Sequence, residues 1–208
     1  QSRDDNVYTP MLEWILATLR LHGFEQPRVL DVTTPPSEMT SLLQDSGMCA
    51  EVLAVDETGL ITTPTALGAD EVHAALLLES LDRVDDPFAL VQNVSDRLAE
   101  GGLVFVTALV ASGFDFAVLG LHNVYLYPPD RTNCFSLRGL SGLLERAGLT
   151  LVEVSTPGVL DVEIVRAHAQ RDPSLPLAPF ERQLIEADED TQRAFQMFLQ
   201  QQGLSSFA

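Results

Sequence analysis

The sequence predicts an α/β protein: a mostly parallel sheet flanked by helices, with a C-terminal helical appendage. Three observations lead there. Short runs rich in Val, Leu and Ala alternate with stretches of helical period, and Gly, Pro, Ser and Asp punctuate the boundaries. Beyond Thr156-Pro157-Gly158 the strand-like runs give way to helical patterns.

Thr9 as cap and Pro10 at the first helical position open a helix whose Met11, Trp14, Ile15 and Leu19 share one face, with Gly23 just past its end. Residues 28–32 read as a buried first strand, 37–46 as a helix stopped by Gly47, and 51–55 as a second strand, which together make a βαβ unit. The apolar run 72–78 suits a strand covered on both faces. The helix 87–98 follows it, carrying Val91, Val94 and Leu98, and Gly101-Gly102 turns into a strand at 103–107. After a long loop, Ser136 caps a helix bearing Leu137, Leu140, Leu144 and Ala147, which Gly148 ends, and 149–155 reads as one more strand. The tail holds helices on either side of the proline-rich linker 172–179, with Phe180, Leu184, Phe195, Phe198 and Leu199 as apolar stripes. The expected organisation is an α/β domain over 1–156 and a helical extension over 157–208 packed on it.

Composition narrows the function. The 208 residues are 46% hydrophobic, enough for a real core. Apolar runs such as 74–78 and 103–106 fall far short of the ~20 residues that cross a bilayer. No charged stretch precedes an apolar one at the N-terminus, so no signal peptide and a cytoplasmic location are expected. Thirty acidic against twelve basic residues give a formal net charge of −18, which repels phosphate backbones and argues against nucleic acid and anionic membranes as partners. The acidic run Glu186, Asp188, Glu189 and Asp190 reads as a solvated helix start. Cys49 and Cys134 lack metal-ligand or disulfide spacing and read as two buried free thiols. His22, His73 and His168 have no metal spacing either, so no metal is expected.

Four segments carry a family likeness: Val29-Leu30-Asp31-Val32, Val55-Asp56, the stretch Leu77-Leu78-Glu79-Ser80-Leu81-Asp82-Arg83-Val84-Asp85-Asp86-Pro87, and Leu98-Ala99-Glu100-Gly101-Gly102-Leu103. With them the chain resembles class I S-adenosylmethionine-dependent methyltransferases from about Tyr8 onward. The resemblance implies a Rossmann-like sheet, S-adenosylmethionine as cofactor and methyl transfer as the reaction. The stretches 128–136 and 157–165 look like a bacterial subgroup that modifies small molecules or surface-polysaccharide precursors, which implies a small-molecule or glycan-precursor substrate. That subgroup usually has a histidine where Arg131 stands here. The third strand and closing antiparallel strand that the resemblance implies are not legible. An open sheet edge would result, and a second copy or a neighbouring domain is the expected cover.

An adenosyl cofactor needs a sharp turn after the first strand and an acid on the next strand to hold the ribose hydroxyls. Asp56, 25 residues after Asp31, suits the second role. The turn departs from the family. It reads Thr33-Thr34-Pro35-Pro36-Ser37 without glycine, and proline supplies neither positive φ nor an N–H. The cofactor-binding candidates are therefore Asp31, Thr33, Ser37, Asp56 and Glu79.

Methyl transfer chiefly holds a nucleophile in line with the sulfonium methyl, adding a base where the acceptor must lose a proton. The catalytic candidates are Glu79, His122 and Arg131, with Asp82, Tyr125 and Tyr127 nearby in sequence. Each has an ordinary alternative: helix capping for Glu79 and Asp82, packing for the tyrosines, a satisfied surface histidine for His122. Two functions stand against each other. One is an active methyltransferase; the other is a noncatalytic methyltransferase-like scaffold or interaction domain of a larger biosynthetic protein, favoured by the glycine-free loop. A nicotinamide-dependent oxidoreductase would need the same glycine turn and shares less of the downstream pattern.

Overall fold

Apolar runs between turn residues form the strands, and side-chain caps and glycines bound the helices. The computed structural model describes residues 7–33, 37–62, 71–126 and 131–207. The elements run α1 (Thr9–Leu21), β1 (Arg28–Val32), α2 (Glu38–Asp45), β2 (Glu51–Val55), α3 (Glu57–Thr62), β3 (Val72–Leu78), α4 (Pro87–Ser95), β4 (Leu98–Thr107), α5 (Phe114–Leu119), a 3-10 turn at Gly120–His122, α6 (Leu137–Arg146), α7 (Asp161–Arg171), α8 (Pro179–Glu186) and α9 (Glu189–Gln201). The strands form one sheet in the order β2-β1-β3-β4, and every neighbouring pair is parallel. This is the α/β architecture expected, and β1, β2 and β3 occupy the expected residues.

The chain divides into two compact units. One comprises the described residues up to Thr107 with Ala147–Leu149; the other comprises Ala108–Arg146 with the described residues from Thr150 onward. Residues 108–146, read from the sequence as part of the sheet domain, thus group with the C-terminal helices. Backbone pairing explains it: Val110 bridges Phe135, and Leu109 bridges Phe207 antiparallel.

In the first unit, Ile15 and Leu19 of α1 and Met39 and Leu43 of α2 pack with Val29, Ala74, Leu76 and Phe105. These strand positions share one sheet face because side chains alternate along a strand. The alternate residues Leu30, Val32, Ala75 and Leu77 are equally buried, as are Leu60 of α3 and Leu90, Val91 and Val94 of α4. Both faces are covered, as a parallel sheet requires, and each buried leucine or valine side chain contributes about 1.5–3 kcal/mol over exposure. Trp14 stays partly exposed and meets Phe105 edge-on at 5.1 Å.

Four sequence expectations are corrected. Helix α4 ends at Ser95, short of Leu98, because Leu98 already pairs with Val72 and the Val72 N–H is taken by the Arg97 carbonyl at 2.9 Å. β4 therefore begins before the Gly101-Gly102 turn. Gly102 suits the crowding there, since a Cβ would lie 2.9 Å from the Ala99 carbonyl oxygen. Residues 149–155 form no strand: strand-forming residues alone do not make one without a ladder partner, and Val152 and Val154 are left exposed. Cys134 is exposed, while Cys49 is partly buried.

In the second unit, Leu119, Val165 and Leu175 form one apolar cluster and Val162, Leu184 and Leu199 another. Asp161, at the start of α7, is buried and accepts from the Ser206 N–H at 2.8 Å, the Ser205 hydroxyl at 2.5 Å and the Gln196 amide at 2.7 Å. Asp188 caps α9 by accepting from the Thr191 N–H at 2.9 Å, the role expected of the acidic run. His73 is structural, its Nδ1 accepting from the Arg28 N–H at 3.0 Å. Among the described residues no helix is long and apolar enough to cross a membrane.

Candidate functional site

In an open parallel sheet, ligands bind at the carboxyl ends of the strands where the strand order reverses. Here the chain leaves β1 for β2 on one side and later returns to place β3 on the other, so the crevice falls beyond β1. A cleft of about 570 Å³ lies there, lined by Thr33 after β1, Asp56 after β2, and Leu78 and Glu79 at the end of β3. The volume is within the range of small-molecule sites. Glu57, Thr58, Arg83, Val84, Asp85 and Asp86 complete the lining, so five carboxylates face one guanidinium.

Three predicted residues meet in this cleft: Thr33, Asp56 and Glu79. The Oδ1 of Asp56 accepts from the Gly59 N–H at 3.1 Å, which caps α3 and fixes the carboxylate at the rim. Glu79 has φ +56°, a left-handed backbone that glutamate rarely adopts. Its Oε2 lies 3.4 Å from a guanidinium nitrogen of Arg83; both side chains are part-exposed, so the pair adds little stability.

Asp31 and Ser37 do a different job and are absent from the lining. The Ser37 hydroxyl donates to Asp31 Oδ2 at 2.8 Å and the Thr40 hydroxyl to the same oxygen at 2.6 Å, while Ser37 Oγ accepts from the Thr40 N–H at 3.2 Å as the cap of α2. Asp31 thus ties the buried strand to the helix start. Burial pushes its carboxyl above the usual aspartate range, and the Thr40 and Ser37 hydroxyls pull it partly back.

A raised folded-state pKa means the native state holds the proton more tightly. The associated stability is present below the unfolded value of 3.8 and lost as pH rises through the folded value. Asp31→Asn, which keeps an acceptor and carries no charge, should remove that loss, so its stability relative to the parent rises between pH 4 and pH 7. Asp31→Ala should cost about 1–3 kcal/mol, because two hydroxyls lose their acceptor. Denaturant titrations at the two pH values decide the point; parallel curves for parent and Asp31→Asn would refute it.

His122 and Arg131 belong to the second unit. The His122 ring lies 6.1 Å from that of His168, and both imidazoles help hold the exposed Asp172 carboxyl below its usual range, behind the larger effect of its hydrogen bonds from Ser174. Arg131 is partly buried. Asp82 is buried in the first unit, and the Tyr125 N–H donates to Asn123 Oδ1 at 3.0 Å in the second. Tyr127 and the loop residues Thr34, Pro35 and Pro36 lie outside the described residues. Sequence reasoning missed Glu57, Thr58, Leu78, Arg83, Val84, Asp85 and Asp86 as cleft residues, though all but the first two stand in a segment that carries the family likeness.

An open parallel sheet with a cleft at its switch point, lined by carboxylates, defines a Rossmann-like α/β class of domain. The chain belongs to the methyltransferase-domain family, which matches residues 6–154, well over half its length. Solved structures agree on the fold. A proposed methyltransferase from Bacillus halodurans is 15% identical with TM-score 0.53, covering 86% of each chain. A proposed sarcosine dimethylglycine methyltransferase from Galdieria sulphuraria is 13% identical with TM-score 0.51, covering 96% of this chain and 83% of its own. Coclaurine N-methyltransferase bound to N-methylheliamine and S-adenosylhomocysteine is 13% identical with TM-score 0.52, covering 90% of this chain and 64% of its own. No curated protein matches the chain.

Proposed function

We propose that the chain is an S-adenosylmethionine-dependent methyltransferase acting on a small molecule or glycan precursor, with its cofactor in the cleft beyond β1, β2 and β3. The observation that carries this reading is the convergence of Thr33, Asp56 and Glu79 on one ligand-sized hollow in a methyltransferase-family domain. The residues suit the group: Asp56 offers a carboxylate to ribose hydroxyls, and the acidic lining complements the positive sulfonium and ammonium. When bound, the cofactor supplies an electrophilic methyl. Glu79 can hold a cationic group or take up the acceptor's proton at its carboxylate, and the apolar side chains of Leu78 and Val84 exclude water from part of the wall. His122 and Arg131, both in the second unit, are kept as candidates for a catalytic role.

A second reading, a noncatalytic methyltransferase-like scaffold or interaction domain of a larger biosynthetic protein, is favoured by one observation. Asp31 and Ser37, two of the expected cofactor-binding residues, are committed to each other and to Thr40. Isothermal titration with S-adenosylmethionine and S-adenosylhomocysteine separates the two. The enzyme reading expects micromolar binding that Asp56→Ala weakens by about 100-fold, the loss of hydrogen bonds to a charged acceptor. Absence of heat at millimolar ligand favours the scaffold.

A further inference from the structure

Glu79 is the only non-glycine with positive φ among the described residues, and its surroundings account for that. Its N–H is shared between two acceptors on one residue, the Thr107 carbonyl at 2.9 Å and the Thr107 hydroxyl at 3.1 Å. The carbonyl bond merely continues the parallel ladder one step past the Leu78–Thr107 pair. The hydroxyl bond is additional, and an apolar residue at this end of β4 could not make it. One residue on, the buried Ser80 hydroxyl donates to the Val32 carbonyl at 2.9 Å, at the end of β1. The strained residue is therefore pinned from both neighbours of β3, from β4 before the turn and from β1 after it. Thr33, the first cleft residue, directly follows Val32.

We propose that Thr107 is a positioning residue: its buried hydroxyl holds Glu79 in the left-handed backbone conformation that presents the Glu79 carboxylate to the cleft, with Ser80 anchoring the far side of the turn. Strained conformations persist where the surroundings over-determine them, and two anchors beside one such residue meet that condition. The effect on ligand affinity rests on the cofactor reading above; the effect on the backbone does not.

The test uses Thr107→Val, which keeps shape and strand preference while deleting the hydroxyl, and Thr107→Ser, which restores it. The backbone at Glu79 is read from its amide-to-Hα coupling constant and carbon chemical shifts, and affinity from S-adenosylhomocysteine titration. Thr107→Val should lose the left-handed signature and bind about tenfold more weakly, with Thr107→Ser close to the parent. A left-handed Glu79 in Thr107→Val, or unchanged affinity beside a binding parent, overturns the proposal. If the parent binds no S-adenosylhomocysteine, the cofactor reading fails and the coupling constants alone decide the role of Thr107. A thermal cycle adds a readout free of ligand. In a Glu79→Gly background, where positive φ is unstrained and no relaxation offsets the lost bond, Thr107→Val should lower the melting temperature more than in the parent, and equal losses would mean that the hydroxyl does not hold the turn.

Discussion

Replacing Asp161 with alanine should destabilise the second unit by about 3–5 kcal/mol, because three buried donors lose their shared acceptor at about 1–3 kcal/mol each, less what relaxation recovers. Three donors converge on it: the Ser206 N–H, the Ser205 hydroxyl and the Gln196 amide. Asp161 also begins α7, where a negative charge meets the positive end of the helix dipole. Ser205 is fully buried, so water has little access to its freed hydroxyl. Asp161→Asn keeps an oxygen acceptor but brings an amide donor toward the Gln196 amide, and should fall between alanine and the parent. Chemical denaturation measures the series. A loss below about 1 kcal/mol for Asp161→Ala would show that the carboxylate is not what holds the C-terminal segment.

Gly113→Ala should be almost as damaging, at about 3 kcal/mol, through overpacking. A Cβ at Gly113 would lie 2.5 Å from the backbone nitrogen and the Cβ of Ser206. The segment it strikes has no freedom to retreat. Ser206 accepts from the Val110 N–H at 2.7 Å, Leu204 from the Phe114 N–H at 2.9 Å, and Phe207 pairs antiparallel with Leu109. Gly142, within α6, supplies the contrast: a Cβ there meets nothing within 4 Å, so Gly142→Ala should stabilise by about 0.4–1 kcal/mol. Melting curves for both variants check the pair, and similar shifts in the same direction would contradict this account of the packing.

These two effects involve contacts that the sequence did not disclose, and the reason is general. β1, β2 and β3 were legible because each is a compact apolar run between turn residues, and α2 because Ser37 and Gly47 mark its ends. Asp56 was legible as a rim residue because its place at the end of β2 follows from strand order. The left-handed turn at Glu79 was not, since it depends on Thr107, 28 residues later. Nor was the burial of Asp31 under Ser37 and Thr40, because an acid that ends on hydroxyl donors and an acid that faces a ligand have the same local sequence. The strand expected at 149–155 failed for the converse reason. Residue preference is local, but a strand exists only where another chain segment offers its hydrogen bonds.

The excess of carboxylates around the cleft also governs how a ligand would arrive. Asp56, Glu57, Glu79, Asp85 and Asp86 outnumber Arg83 at the opening, on a chain already carrying a formal charge of −18. Such a mouth draws cations by long-range attraction and turns phosphorylated compounds away. Added salt shortens the reach of that attraction to about 8 Å at physiological ionic strength, so the encounter rate of a cationic visitor falls as salt rises, whereas a neutral one arrives at nearly the same rate throughout.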